Sequence, residues 1–406
     1  MRVLNVTETY YPFLKWGGPP VKVRALSRGL AARHHHVTVL TADFGIADSQ
    51  GFDSEKKDAR MEHTPLGWRM EESGVETIYL PSLLRYRALT WNPGVGKFCR
   101  ERLGEFDAVH IFGLYDLLGP AVAAACKRRT VPYVLEPIGM FRPIVRKLWL
   151  KRLYHRWVGG AMIRGCERMI ATSRQEFEEL AAEDVPVEKL IVRRNGVYVP
   201  DTLPEAGTFR RQWNLASETT VILFLGRLVG KKSPGLLLEA FARWRKIQSN
   251  RSDARLVFAG PQENDGTRAK LETLAGQLGV QGEVLYTGPL FGDHKWAAYR
   301  DADVFVLPSQ NENFGNTAAE AIACGTPAII TENCGIAPLV GPRAGVIVKH
   351  NVDSLAEALD AVLGDKRLYA RLANGCAEVT RSLGWDEPIA EMEALYKTLA
   401  LKKRRT

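Results

Sequence analysis

The chain has 406 residues, 46% hydrophobic and 25% charged, which suits two or more globular domains and argues against a disordered or fibrous protein. No run of about 18 apolar residues offers a spanning helix, and MRVLNVTETYYP reads as a first strand rather than a secretion signal, so the cytoplasm is the expected place. Cys99, Cys126, Cys166, Cys324, Cys334 and Cys376 are scattered without a Cys-x-x-Cys pair, which argues against a disulfide framework or a zinc site.

Net charge is +9, and residues 1–198 hold 30 Lys and Arg against 22 Asp and Glu, so the excess points the first half toward an anionic surface or substrate. In chain order, Val3–Val6 is a short buried strand, followed by a loop through Gly17-Gly18, a helix to about Arg33 and a strand Val37–Leu40. No G-x-G-x-x-G follows the first strand, which excludes the dinucleotide fingerprint. Gly17 and Gly18 either allow a close backbone approach to a phosphate or serve only the turn. His34, His35 and His36 stand just before a strand, a triplet that invites a metal reading. Residues 45–75 are polar and aperiodic, and are expected to form a mobile insertion.

Strand Ala108–Ile111 carries His110, and Val131–Leu135 ends in Glu136-Pro137-Ile138-Gly139-Met140. From Lys147 the chain reads KLWLKRLYHRWVGG, with Lys147, Lys151, Arg152, His155 and Arg156 on one helical arc and Trp149, Leu150, Leu153, Tyr154 and Trp157 on the other. Residues 142–168 carry eight Lys and Arg and one Glu. That is a membrane-surface signature, with Lys147, Trp149, Lys151, Arg152, Arg156 and Trp157 as contacts. Its alternative is a helix whose aromatic face packs on its own sheet. No recognised nucleic-acid motif accompanies the charge. Pro200, Pro204 and Gly207 mark a linker.

The second half opens on strand Val221–Leu225, followed by Gly226-Arg227-Leu228-Val229-Gly230-Lys231-Lys232-Ser233. Strands Leu256–Ala259 and Val284–Tyr286 end in Gly260-Pro261 and Thr287-Gly288-Pro289-Leu290. Strand Val304–Leu307 stops at Pro308-Ser309, a polar loop Gln310–Asn316 follows, and a helix from about Thr317 ends at Gly325. Loops at the carboxyl ends of parallel strands are where open α/β sheets bind ligands. Glu312 lies in that loop and Glu320 one turn into the helix. Free amides at a helix start suit a phosphate, but two carboxylates beside it would repel a bare anion. Carboxylates for hydroxyls, with amides and cations for phosphate, describe a nucleotide-sugar. From Trp385 one amphipathic helix runs toward Lys402-Lys403-Arg404-Arg405, four more charges for the basic surface.

ENFGNTAAEAIACGTP, with the preceding strand ending Pro-Ser, resembles the E-x7-E segment of the retaining GT-B glycosyltransferases of family 4, the group 1 enzymes of polysaccharide and lipopolysaccharide synthesis. Gly-Arg-Leu and Lys232 resemble the motif whose Arg and Lys hold the donor diphosphate, with Ser233 where the family has Gly. The resemblance assigns the diphosphate to Arg227 and Lys232 and places Gly17 and Gly18 beside the donor phosphate. It gives the sugar hydroxyls to Glu312 and the ribose hydroxyls to Glu320. Backbone of Phe314, Gly315 and Asn316 then lines the sugar, Thr317 sits beside the phosphate, and Gly226, Gly260 and Leu290 border the nucleotide. Paired cations suit a pyrophosphate and offset charge growing on the leaving group. No metal or other cofactor is implied, since Arg and Lys do that electrostatic work, and the leaving phosphate manages the acceptor proton.

His35-His36-Val37 matches the family's structural Gly-His-x-Val, and Pro-x-Gly-Met matches members that build exopolysaccharide or lipopolysaccharide. Relatives often show His-x-His where this chain has His110 and Phe112, so His110 is either a cleft residue or a structural imidazole. Their Gly-Gly-x-x-Glu is replaced by Cys334-Gly335-Ile336-Ala337-Pro338-Leu339, which leaves the donor sugar open. UDP and GDP are not distinguished.

The expectation is therefore an α/β GT-B fold of two Rossmann-like domains facing across a cleft. Residues 1–198 would bind the acceptor, 199–385 the nucleotide-sugar, and 386–406 would cross back onto the first domain. The expected activity is retaining transfer from a nucleotide-diphosphate sugar to a lipid-linked or saccharide acceptor, on the inner face of the cell membrane, in bacterial cell-surface polysaccharide or glycolipid synthesis. A sugar phosphorylase and a non-catalytic membrane-associated scaffold are the alternatives. A dehydrogenase is disfavoured by the missing glycine fingerprint.

Overall fold

The apolar runs become parallel strands whose side chains alternate between two buried faces. The computed structural model describes residues 1–13, 18–46, 60–86, 89–139, 154, 158–183, 185–247, 253–262 and 266–404. The chain divides into two units, Met1–Gly196 with Trp385–Thr406, and Val197–Gly384.

In the first unit the strands are β1 (Arg2–Thr7), β2 (His36–Ala42), β3 (Arg60–Thr64), β4 (Gly67–Glu72), β5 (Val75–Leu80), β6 (Leu84–Tyr86), β7 (Leu89–Trp91), β8 (Ala108–Phe112), β9 (Tyr133–Glu136), β10 (Arg168–Ala171) and β11 (Leu190–Val192). They form one sheet in the order β11-β10-β9-β8-β1-β2-β5-β4-β3, while β6 and β7 pair separately. Within the sheet, pairing is parallel except between β3 and β4 and between β4 and β5; the β6–β7 pair is antiparallel.

The two outer strands correct the reading of 45–75 as a mobile insertion: residues 60–72 are an ordered hairpin that extends the sheet. Its β3 reads RMEHT and is largely exposed, so no apolar alternation announced it. Residues 47–59 lie outside the described residues.

Along β8, Val109 and Ile111 join one core with Leu4, Val6 and Leu135. Ala108 and Phe112 join the other, with Val3, Val134 and Val23 of α1 (Gly18–Ala32). A period of two does this, because successive strand side chains point to opposite faces. The C-terminal helix Asp386–Lys403 buries Ile389, Met392, Tyr396 and Leu399 in the second of these cores. It approaches α1 closely, since a Cβ on Gly29 would overlap Ile389. Lys402 pairs with Glu167, and the Lys403 ammonium donates to the carbonyls of Gly104 and Phe106. Two of the four basic residues at this end are therefore engaged within the unit rather than added to a free basic surface.

His34, at the glycine position of the Gly-His-x-Val match, has φ +63°, the left-handed region that glycine enters freely. Nε2 of His35 lies 3.1 Å from Glu393, and Nδ1 lies 3.3 Å from the amino group of Met1.

A buried polar cluster lies beside the apolar core on the α1 face. Lys22 pairs with Glu136, whose other oxygen accepts from Arg193 at 2.5 Å. His110 Nδ1 meets the Tyr396 hydroxyl at 2.6 Å, Nε2 lies 3.4 Å from Glu136, and Phe112 stacks on the ring at 3.8 Å. All of these side chains are buried. Burial alone would raise the Glu136 carboxyl, but Arg193, Lys22 and His110 together hold it below the usual carboxylate range.

The second unit has β12 (Thr220–Leu225), β13 (Ala254–Ala259), β14 (Val284–Gly288), β15 (Val304–Leu307), β16 (Ala328–Thr331) and β17 (Gly345–Val348), in the order β14-β13-β12-β15-β16-β17. Val221, Leu223 and Leu225 pack with Phe305, Ile330 and Ile322, while Ile222 and Phe224 pack with Phe258, Val304 and Phe241. Each such side chain contributes about 1.5–3 kcal/mol by leaving water. Pro200–Gly207, expected as a linker, belongs to this unit: Val199 and Leu203 pack on its core, and Asp301 accepts from the amides of Gly207, Phe209 and Arg210.

Burial lowers the His110 pKa from 6.5 to about 4, so the unfolded chain takes up this proton first as pH falls. Stability is therefore expected to drop between pH 6.5 and 4, by about 3 kcal/mol for this group. Urea melts across that window should show the slope in the wild type and a flatter one in His110→Gln. An identical slope in both would assign the proton elsewhere.

Candidate functional site

Strand order in the second unit reverses between β12 and β15, which makes their carboxyl ends a topological switch point. The loop after β12 holds Arg227 and Lys232, and the loop after β15 holds Glu312. The two loops are tied, with Gln310 N donating to the Lys231 carbonyl at 3.0 Å. Segment 333–336 braces the second loop: Glu312 N donates to Asn333 O, Gly335 N to Glu312 O and Ile336 N to Phe314 O, all within 2.7–2.9 Å. Lys232 and Glu312 form an ion pair, each about four-fifths buried. Arg227 is exposed on the same loop.

Three residues shape the backbone here. Ser233, where the resembled motif has glycine, takes φ +52° and ψ +46°, then opens α2 (Pro234–Ile247). Its hydroxyl meets His350 Nε2 at 2.8 Å. Gly315 at φ +107° precedes α4 (Asn316–Ala323) and lies against Ile336. Phe314 is buried beneath it, and Asn316 and Thr317 begin the helix. Gly260, at φ +151°, lies so close to the end of β12 that a Cβ would overlap the Gly226 carbonyl.

Glu320, on the second turn of α4, is engaged twice by α3 (Gly292–Asp301): Lys295 Nζ donates at 2.8 Å and the Tyr299 hydroxyl at 2.9 Å. Burial, and next the Glu320 carboxylate, hold the Tyr299 phenol well above its ordinary range. A concavity of about 80 Å³ opens beside the ends of β13 and β14, lined by Leu228, Phe258, Gln262, Arg268, Tyr286 and Pro289. Tyr286 stacks on Phe258 at 5.6 Å, and the Arg268 guanidinium lies 5.0 Å from its ring centre. Leu290 is half-buried nearby in sequence and packs on the core.

Sequence reasoning thus named both partners of the Lys232–Glu312 pair and the contacting glycines Gly226 and Gly260. It missed Lys295 and Tyr299, although their place one helix before Glu320 in an α/β unit was a usable signal. His110 belongs to the first unit, where its ring is fully buried between Tyr396, Glu136 and Phe112, an arrangement that suits a structural imidazole. Gly18 starts α1, whereas Gly17 lies outside the described residues. So do Lys147, Trp149, Lys151, Arg152, Arg156 and Trp157.

The first unit has its own switch point, between β1 and β8. Glu8 follows β1 and accepts from Thr90 N at 3.0 Å; burial, and next Asp116, raise its pKa to about 8. Burial raises Asp116 to about 6. At the end of β9, Ile138 takes φ +54°, a conformation that costs a branched side chain about 1–2 kcal/mol. Neither acid was singled out from sequence, because no local pattern pairs residues this far apart.

The description "Glycosyl transferases group 1" matches residues 206–378, and "Glycosyl transferase 4-like domain" matches 17–196. A D-inositol 3-phosphate glycosyltransferase of Xylanimonas cellulosilytica is 31% identical over 404 residues, 96% of this chain and 93% of that one. The chain belongs to the group 1, family 4 glycosyltransferases.

This glycosyltransferase has the GT-B fold. Anabaena HepE, solved with UDP and glucose, has a TM-score of 0.76 at 16% identity, covering 98% of this chain and 100% of that one. The catalytic domain of Arabidopsis thaliana starch synthase IV, solved with ADP and acarbose, has a TM-score of 0.74 at 15% identity, covering 98% and 99%.

Contact between Gly260 and Gly226 makes Gly260→Ala costly, by roughly 2 kcal/mol or more in a denaturant melt. Gly276, inside helix Thr267–Leu278 with open space around it, is the control, where Ala should stabilise by up to about 1 kcal/mol. Equal effects at both sites would refute the close approach.

Proposed function

We propose that this glycosyltransferase moves a sugar from a nucleotide-diphosphate sugar to a hydroxyl of a lipid-linked or saccharide acceptor, with retention at the anomeric carbon. The observation that carries this is the Lys232–Glu312 pair at the switch point, on the loop that also bears Arg227. The UDP and ADP bound to HepE and starch synthase IV support a nucleotide donor. On arrival of the donor, Lys232 exchanges Glu312 for the diphosphate, and the freed carboxylate accepts from sugar hydroxyls. Glu320, held by Lys295 and Tyr299, accepts from the ribose.

As the C1–O bond to the diphosphate breaks, Arg227 and Lys232 offset the charge left on the leaving oxygen. The acceptor oxygen bonds to C1 from the same face, and its proton passes to the leaving phosphate. No metal is needed, since the charge is met by these two side chains.

The acceptor side rests on the first unit. Its positive excess suits an anionic membrane surface, which fits a lipid-linked acceptor and cell-surface polysaccharide or glycolipid synthesis on the inner face of the membrane. No helix among the described residues is long and apolar enough to cross a membrane. The X. cellulosilytica relative is named for inositol 3-phosphate, and a small anionic acceptor is the second reading that the same charge favours.

Thermal melts with UDP, GDP and ADP should show one nucleotide stabilising the wild type by mass action but not Lys232→Ala. Lys232→Ala and Glu320→Ala should each lower donor turnover at least tenfold while the protein stays folded. Unchanged turnover in both would overturn the site. Dependence on inorganic phosphate would instead identify a phosphorylase.

A further inference from the structure

The hairpin β6–β7 is built with its apolar side outward. Leu84 pairs with Trp91, and Leu89 stands two residues before Trp91, so these three positions share one face by the period of two. On that face Leu84 is 67%, Trp91 50% and Leu89 39% exposed, and Leu83 at its base is 64% exposed. The opposite face is anchored. Thr90 is buried, donates its amide to Glu8 and bonds Asn92 through its hydroxyl at 2.7 Å. Asn92 in turn donates to the carbonyls of Leu80 and Pro81 and to Ser82 Oγ at 3.0–3.1 Å. A soluble protein that only needed a turn here would face the leucines and tryptophan inward.

We propose that this outer face is a membrane contact, seating Leu84, Leu89 and Trp91 at the headgroup boundary of an anionic bilayer. Charge favours that partner: residues 81–102 hold five Lys and Arg against one Glu. Area disfavours a second copy of the chain, because a few side chains cannot supply the roughly 800 Å² per partner of a stable protein interface. Placement agrees as well. The hairpin follows β5 and bonds Glu8 just after β1, so it stands at the carboxyl-end rim of the first sheet, where the acceptor is read to bind. This inference rests on the membrane reading given above and assigns it to a second element, separate from residues 142–168.

Co-sedimentation with vesicles of phosphatidylcholine and phosphatidylglycerol, at low and high salt, tests it on the full chain. The double variant Leu84→Ser, Trp91→Ser should bind at least tenfold more weakly than wild type, with its melting temperature held. Trp91→Phe keeps an apolar ring, so it should bind nearly as wild type yet lose part of the fluorescence quenching by brominated lipid. That second variant decides the matter even if the first folds poorly. Wild-type binding with equal binding of the double variant, or equal quenching in Trp91→Phe, would overturn the hairpin and leave the membrane reading to residues 142–168. No binding by the wild type would overturn both. A wild-type dimer that the double variant splits would overturn the proposal in favour of a second copy.

Discussion

Parallel pairing is the constraint on which this protein depends. A parallel sheet puts every strand's carboxyl end on one rim, so loops far apart in sequence become neighbours without any contact written into them. β12 pairs with β13 from Thr220 to Leu225 and with β15 through Ile222 and Leu223. The amide of Gly226 then bonds Ala259, and that of Gly260 bonds Gly288, carrying the ladder past the strand ends into the loops. Positions of Arg227, Lys232, Gly260 and Glu312 follow from that registry. Apolar strands, buried on both faces, are what hold it.

Charge in the site is already balanced in the free chain. Lys232 faces Glu312 and Lys295 faces Glu320, so each of these largely buried cations has an acid partner. An unpartnered charge at such depth would cost several kcal/mol. On the proposed function, the internal carboxylates would stand in for substrate groups, so donor binding would be an exchange of partners rather than the filling of a vacant site, and a ligand lacking the diphosphate would leave the lysine better off where it was. The buried cluster of Lys22, Glu136, Arg193, His110 and Tyr396 is a different case: its partners are locked by the fold, and it ties α1, β8, the end of β9, the residue after β11 and the C-terminal helix together.

What could be read from the sequence was what is local. Val221–Leu225 and Val304–Leu307 announce buried strands by composition alone, and the glycines and acids after them fall at fixed offsets. Family membership followed from those runs. What could not be read was either non-local or unpatterned. Lys22 and Glu136 are separated by 114 residues, and a lysine within a helix gives no sign that it will be buried. β3 has a single apolar residue, Met61, and no alternation, because its sides face water, so it passed for loop. Ser233 looked like a mild departure from glycine, and only its backbone angles show that the position still demands a left-handed turn. Phe112 looked like a lost histidine, whereas it is the ring that covers His110.

The path of the chain between units sets an order of assembly. Val197 N bonds the Leu383 carbonyl at 2.8 Å, so the two ends of the second unit meet, and that unit is an unbroken segment inserted into the first. On a ribosome, the inserted segment has all of its strands once Gly384 has emerged. The first unit, though begun earlier, still lacks the helix that covers α1 and supplies Tyr396. Synthesis thus reverses the usual N-terminal-first sequence: the inserted unit can mature while its elder neighbour waits, with the α1 surface at Gly29 uncovered until Ile389 and the rest of the last helix arrive.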